Sequence, residues 1–121
     1  MRYGDGVEVE EQLREVYAAF NARDADAVLA HAAADVDWPN AWEGGRLHGR
    51  DAVRGYWHRQ WAEIDPRVEP IGFETREDGR VAVEVHQVVR DMDGNLLAEN
   101  DVRHVYTLRD GLITAMDVED E

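Results

Sequence analysis

The chain has 121 residues, 44% apolar and 33% charged, which suits one globular domain with a modest core. It contains no Cys, Ser or Lys, so disulfide frameworks, thiolate nucleophiles, zinc–thiolate and iron–sulfur sites, serine hydrolysis, Schiff bases and phosphate-loop lysines are all excluded. Its 27 acidic residues against 13 Arg leave a formal charge of −14, which argues against nucleic acid and anionic membranes as partners.

The opening run Met1-Arg2-Tyr3-Gly4-Asp5-Gly6 lacks the apolar stretch of a signal peptide, and no later segment is apolar for long enough to cross a bilayer. A cytoplasmic location is therefore expected. Val9, Leu13, Val16, Tyr17 and Phe20 recur at helical spacing and predict a first helix over about Val9 to Asn21. Asp24 or Asp26 is placed to cap a short second helix that buries Val28, Leu29 and Ala32. A loop is expected from Asp35 to Gly49, carrying Trp38-Pro39-Asn40-Ala41-Trp42 and Gly44-Gly45. A third helix, Arg50 to about Glu63, sets Val53, Trp57 and Trp61 in one row despite Gly55.

Beyond Pro66 the period changes to two. Strands are predicted over Val68–Arg76, Val81–Arg90, Leu96–Arg109 and Leu112–Val118, joined at Asp78-Gly79, Asp93-Gly94 and Asp110-Gly111. Helices first and an antiparallel meander afterwards make a single α+β domain in which helices cover one face of a curved sheet.

Several strings carry a resemblance. They are Tyr17-Ala18-Ala19-Phe20-Asn21-Ala22-Arg23-Asp24, then Ala34-Asp35-Val36-Asp37-Trp38, Gly49-Arg50-Asp51-Ala52-Val53-Arg54-Gly55-Tyr56-Trp57, and Arg103 to Ile113. Together they resemble the nuclear transport factor 2-like superfamily, in its SnoaL-like (polyketide cyclase and ketosteroid isomerase) branch, over about residues 9–118. The resemblance implies a cone with a pocket between helices and sheet, often in a homodimer paired through the sheet. It does not choose among isomerases, cyclases, epoxide hydrolases, dehydratases and non-catalytic binders, so function rests on the site. The isomerase set is not matched. Its oxyanion Tyr falls on Val16, its base on Asn40 and its oxyanion Asp on Arg103, none of which can do that work. A register shift of one residue returns Tyr17 or Asp37 to play.

The candidate chemistry lies on two neighbouring strands. Glu84 and His86 share one face of the first, and Asp101 and Arg103 share one face of the second. If those faces line the cone, His86 or Asp101 moves protons and Arg103 holds an oxyanion. If instead Val81, Val83 and Val85 face the core, Glu84 and His86 face water. Trp38, Asn40, Tyr17, Tyr56, Trp57 and Glu84 are expected to shape a site for a hydrophobic or aromatic small molecule. The helical spacing of Trp57 and Trp61 also reads as core. His104 and Tyr106 are assigned to a packing or dimer face. Asp101, Arg103 and Asp117 offer the residue types of the superfamily's epoxide hydrolase triad, but in a different order. No metal-ligand motif and no dinucleotide fingerprint is present, so no cofactor is implied. Cofactor-free acid–base chemistry and a non-catalytic binding or dimerisation module stay open as alternatives.

Overall fold

The computed structural model describes residues 6–120; Met1 to Asp5, on which the reading of the chain's opening rests, lie outside the described residues. The helices are α1 (Gly6–Asn21), α2 (Ala25–Leu29) and α3 (Arg50–Glu63). Two further elements, β1 (Ala32–Pro39) and β2 (Arg46–His48), separate α2 from α3. After α3 come β3 (Ile64–Thr75), β4 (Val81–Asp91), β5 (Leu96–Arg109) and β6 (Leu112–Asp120). The six strands form one curved, unclosed sheet in the order β2-β1-β6-β5-β4-β3. It is antiparallel except where β1 runs parallel to β6.

Local chemistry explains most of the boundaries. Asp24 caps α2, its carboxylate accepting from Ala27 N at 3.1 Å. The β5–β6 hairpin turns on Asp110 and Gly111, both at positive φ (55° and 82°), as a two-residue primed turn requires. The edge strand β3 begins at Ile64, earlier than predicted, and carries Pro66 and Pro70. Proline has no N–H to give a second neighbour, and an edge strand asks for none there. Asn21 at the end of α1 brackets Val68, donating to its carbonyl at 2.7 Å and accepting from its N–H at 3.0 Å. This ties helix to sheet.

The segment predicted as a loop, Asp35–Gly49, is mostly strand. Ala32-Ala33-Ala34 has poor strand propensity, but β1 pairs with β2 (Trp38↔Leu47) and with the distant β6 (Ala32↔Ile113). Tertiary pairing overrides the local signal. Only 40–45 remains a loop between them.

The strand registers decide which side chains face the helices. Val81 lies opposite Tyr106, Val83 opposite His104, Val85 opposite Val102 and Gln87 opposite Asn100. Val83 and Val85 are fully buried, and Tyr106, Met116, Val36 and Trp38 are buried with them. They meet Leu13, Val16 and Tyr17 of α1 and Val53, Tyr56 and Trp57 of α3 in one core. The rows that alternate with these, Glu84 opposite Arg103 and His86 opposite Asp101, therefore lie on the outer face.

Candidate functional site

A cavity of about 350 Å³ opens between the helices and the inner face of the sheet. That volume is at the small end of the usual range for organic ligands. Its wall combines Val16, Tyr17 and Phe20 of α1, Tyr56, Trp57 and Gln60 of α3, and Trp38 of β1 with Ala41 and Trp42 of the following loop. The sheet contributes Val68, Gln87, Val89, Ala98, Val102, His104, Tyr106, Met116 and Val118. Among the described residues, no Asp, Glu or Arg stands on this wall.

Aromatic rings build much of it. Trp38 meets Trp57 edge to face at 5.6 Å between centroids, and Phe20 meets Trp57 in the same way at 5.5 Å. Trp57 stacks on Trp61 at 5.9 Å. Trp57 is both core and wall, whereas Trp61 supports it from behind. At the rim Trp42 is 40% exposed, a large apolar side chain beside the opening.

One polar chain crosses this apolar space. The Tyr106 hydroxyl donates to the Tyr17 oxygen at 2.8 Å, and the Tyr17 hydroxyl lies 2.8 Å from His104 Nδ1. Tyr17 and Tyr106 are buried; His104 keeps an accessible edge on the cavity wall. Burial drives the His104 pKa down to about 4, so the imidazole is neutral at pH 7. Burial also pushes the Tyr17 hydroxyl well above its ordinary value, reinforced by Tyr106 beside it, and raises Tyr106. All three groups are thus neutral hydrogen-bonding groups.

At the mouth, the Tyr56 hydroxyl accepts from Trp42 N at 3.3 Å and from Gln60 Nε2 at 3.2 Å. The 40–45 loop is braced by Asn40, whose Oδ1 accepts from Glu43 N at 2.8 Å and whose Nδ2 donates to Glu43 Oε1 at 3.1 Å. Arg59 grips the same carboxylate at 2.9 and 3.0 Å. Hydrogen bonds from Arg59, then Asn40, hold Glu43 down to about pKa 2.

Of the residues expected to shape the site, Tyr17, Trp38, Tyr56 and Trp57 are on the cavity wall. Asn40 is off the wall and holds the turn behind it. The expectation that Glu84, His86, Asp101 and Arg103 enter the hollow is corrected. The core side of β4 belongs to Val81, Val83 and Val85, which leaves those four outside. There Arg103 binds Glu84 through Nε and Nη2 at 2.9 and 2.7 Å and lies 3.6 Å from Glu119. His86 is held by Asp101 at 2.6 Å and Glu99 at 2.9 Å, and these hydrogen bonds raise its pKa. The triad is not assembled either, since Asp117 binds Arg46 at 3.0 Å. Among the described residues no three His, Asp or Glu side chains come together as metal ligands would.

Of the two roles expected for His104 and Tyr106, packing is the one the structure shows, since Tyr106 is in the core and His104 stacks on Tyr17; their assignment to a dimer face is corrected, because both point into the cavity. The signal that could have placed them is the branched apolar row Val81, Val83 and Val85 of β4, whose partners across the ladder are Tyr106, His104 and Val102. Two further polar side chains of the wall, Gln60 and Gln87, are not singled out by sequence reasoning, because lone amides on a helix and a strand carry no motif.

No curated protein matches the chain. Among solved structures, an NTF2-like protein of unknown function from Burkholderia pseudomallei has 27% identity and a TM-score of 0.79, covering 93% of this chain and 89% of that one. TerC, co-crystallised with polyporic acid, has 26% identity and a TM-score of 0.79, covering 93% and 90%. A candidate polyketide cyclase from Xanthomonas campestris has 28% identity and a TM-score of 0.75, covering 90% and 87%. The SnoaL-like domain profile matches residues 13–116, from the first turns of α1 to the inward Met116 of β6. With that match laid over the helix-lined cavity, the chain belongs to the SnoaL-like family of small-molecule-binding domains.

Proposed function

We propose that the cavity binds a small hydrophobic or aromatic molecule and carries out cofactor-free acid–base chemistry on it through His104, Tyr17 and Tyr106. The observation that carries this reading is the Tyr106–Tyr17–His104 chain, which ends at an accessible imidazole edge inside an apolar cavity. A buried polar chain costs desolvation and brings little stability that an apolar core would not, so its presence at a ligand-sized void argues for use. Trp38, Tyr56 and Trp57 hold the apolar body of the ligand. Isomerisation, cyclisation, dehydration and hydrolysis all ask for such groups, as does the reaction class implied by a polyketide cyclase likeness.

A second reading is favoured by one specific observation. Among the described residues no carboxylate stands on the cavity wall to serve as a general base, and the cavity then serves as a non-catalytic receptor. Any pairing of two copies through the sheet would use the outer charged rows rather than His104 and Tyr106.

Native mass spectrometry of the protein, followed by turnover on a panel of carbonyl and epoxide substrates, tests the proposal. A captured apolar ligand, with turnover that falls at least tenfold in His104→Phe and stays unchanged in His86→Ala, is the expected result. Turnover lost in His86→Ala and kept in His104→Phe would contradict it. Binding without turnover on any substrate favours the receptor reading.

A further inference from the structure

We infer that His104 meets its ligand as a hydrogen-bond donor through Nε2, so that the cavity selects molecules bearing an acceptor oxygen (a ketone, an enolate or a phenolate) on an apolar body. The inference rests on the reading of the cavity as the ligand site and names the chemistry that this site recognises. It follows from assigning the proton between the two hydroxyls to Tyr106, the assignment that nitrogen-15 spectra test. Tyr106 donates its hydroxyl proton to the Tyr17 oxygen, which leaves the Tyr17 hydroxyl proton for His104 Nδ1, 2.8 Å away. A neutral imidazole has one N–H and one acceptor nitrogen. With Nδ1 accepting, the proton is on Nε2.

That nitrogen makes no hydrogen bond to a described residue, and the accessible edge of His104 lies on the cavity wall. An N–H facing an apolar wall gains from an arriving acceptor and nothing from an arriving C–H. The contrast with His86 is direct, because both nitrogens of that ring are already held by carboxylates. Tyr17 is then a positioning residue, which fixes the tautomer, and His104 is the residue that sets specificity.

Nitrogen-15 spectra of the imidazole and calorimetric titrations with tetralin and 1-tetralone, which share a skeleton and differ by one carbonyl, test this. Expected in the wild type are a protonated Nε2, an unprotonated Nδ1, and 1-tetralone binding about tenfold tighter than tetralin, the worth of one hydrogen bond in a dry site. In His104→Phe the preference should vanish while tetralin still binds. In Tyr17→Phe the tautomers should mix and the preference should shrink several-fold. A proton found on Nδ1, or equal affinity for the two probes in the wild type, overturns the inference and leaves the ligand site standing. If neither probe binds, the reading of the cavity fails and the inference falls with it.

Discussion

His104 and His86 sit on paired neighbouring strands, yet their surroundings push them in opposite directions. His104 faces the cavity, where desolvation lowers its pKa to about 4. His86 faces water, where hydrogen bonds to Asp101 and then Glu99 raise it. The signs for stability differ accordingly. Unfolded His104 takes up a proton as pH falls through about 6.5, whereas the folded ring resists until about 4, so stability is lost across that window. For His86 the stabilising contribution is present below about 6.5 and is lost as pH rises through its higher folded value. Urea unfolding at pH 7 and pH 5 should therefore show a loss of about 2 kcal/mol attributable to His104, obtained by subtracting the same measurement on His104→Gln. An identical pH slope in the two proteins would contradict the buried neutral imidazole.

At the scale of elements, a single residue of register separates the charged row of β5 from the row that lines the cavity. Alternation makes both rows of β5 legible in the sequence, but not which one faces the helices. Val81, Val83 and Val85 on the neighbouring strand hold that answer, because three branched apolar residues at period two mark a core face. The same shift of one that brings Tyr17 inward in α1 brings His104 inward in place of Arg103. Helices α1 and α3 and the three Asp-Gly turns are legible because their signals are local. Strand β1 is not, because its partner β6 lies some eighty residues away and its alanines carry no strand preference. The loop between β1 and β2 yields a prediction of its own. Asn40→Ala removes both side-chain bonds to Glu43 and should cost about 1–2 kcal/mol of stability. It should also make Trp42 more open to acrylamide quenching. Unchanged melting and quenching would show that the brace at the mouth is idle.

For the molecule as a whole, the open sheet puts one apolar face against three helices and leaves the other to charge. On the outer face Arg76 holds Glu119 through two bonds at 2.8 and 3.0 Å, Arg103 joins Glu119 to Glu84, and Arg46 joins Asp37 to Asp117. These pairs relieve local repulsion but leave the net charge at −14, and exposed pairs of this kind are worth little individually. The overall architecture is therefore readable from composition, period and turns, whereas the polar chain of the cavity is not. Tyr17, His104 and Tyr106 are separated by up to 89 positions and converge only when α1 lies across β5. The most direct test of the cavity's role is a crystal structure of the protein with 1-tetralone bound. The expected result is a carbonyl oxygen about 2.7–3.2 Å from His104 Nε2, with the rings against Trp38 and Trp57. A ligand seated on the outer face beside Arg103 and His86, or one that leaves His104 Nε2 unpaired, would contradict it.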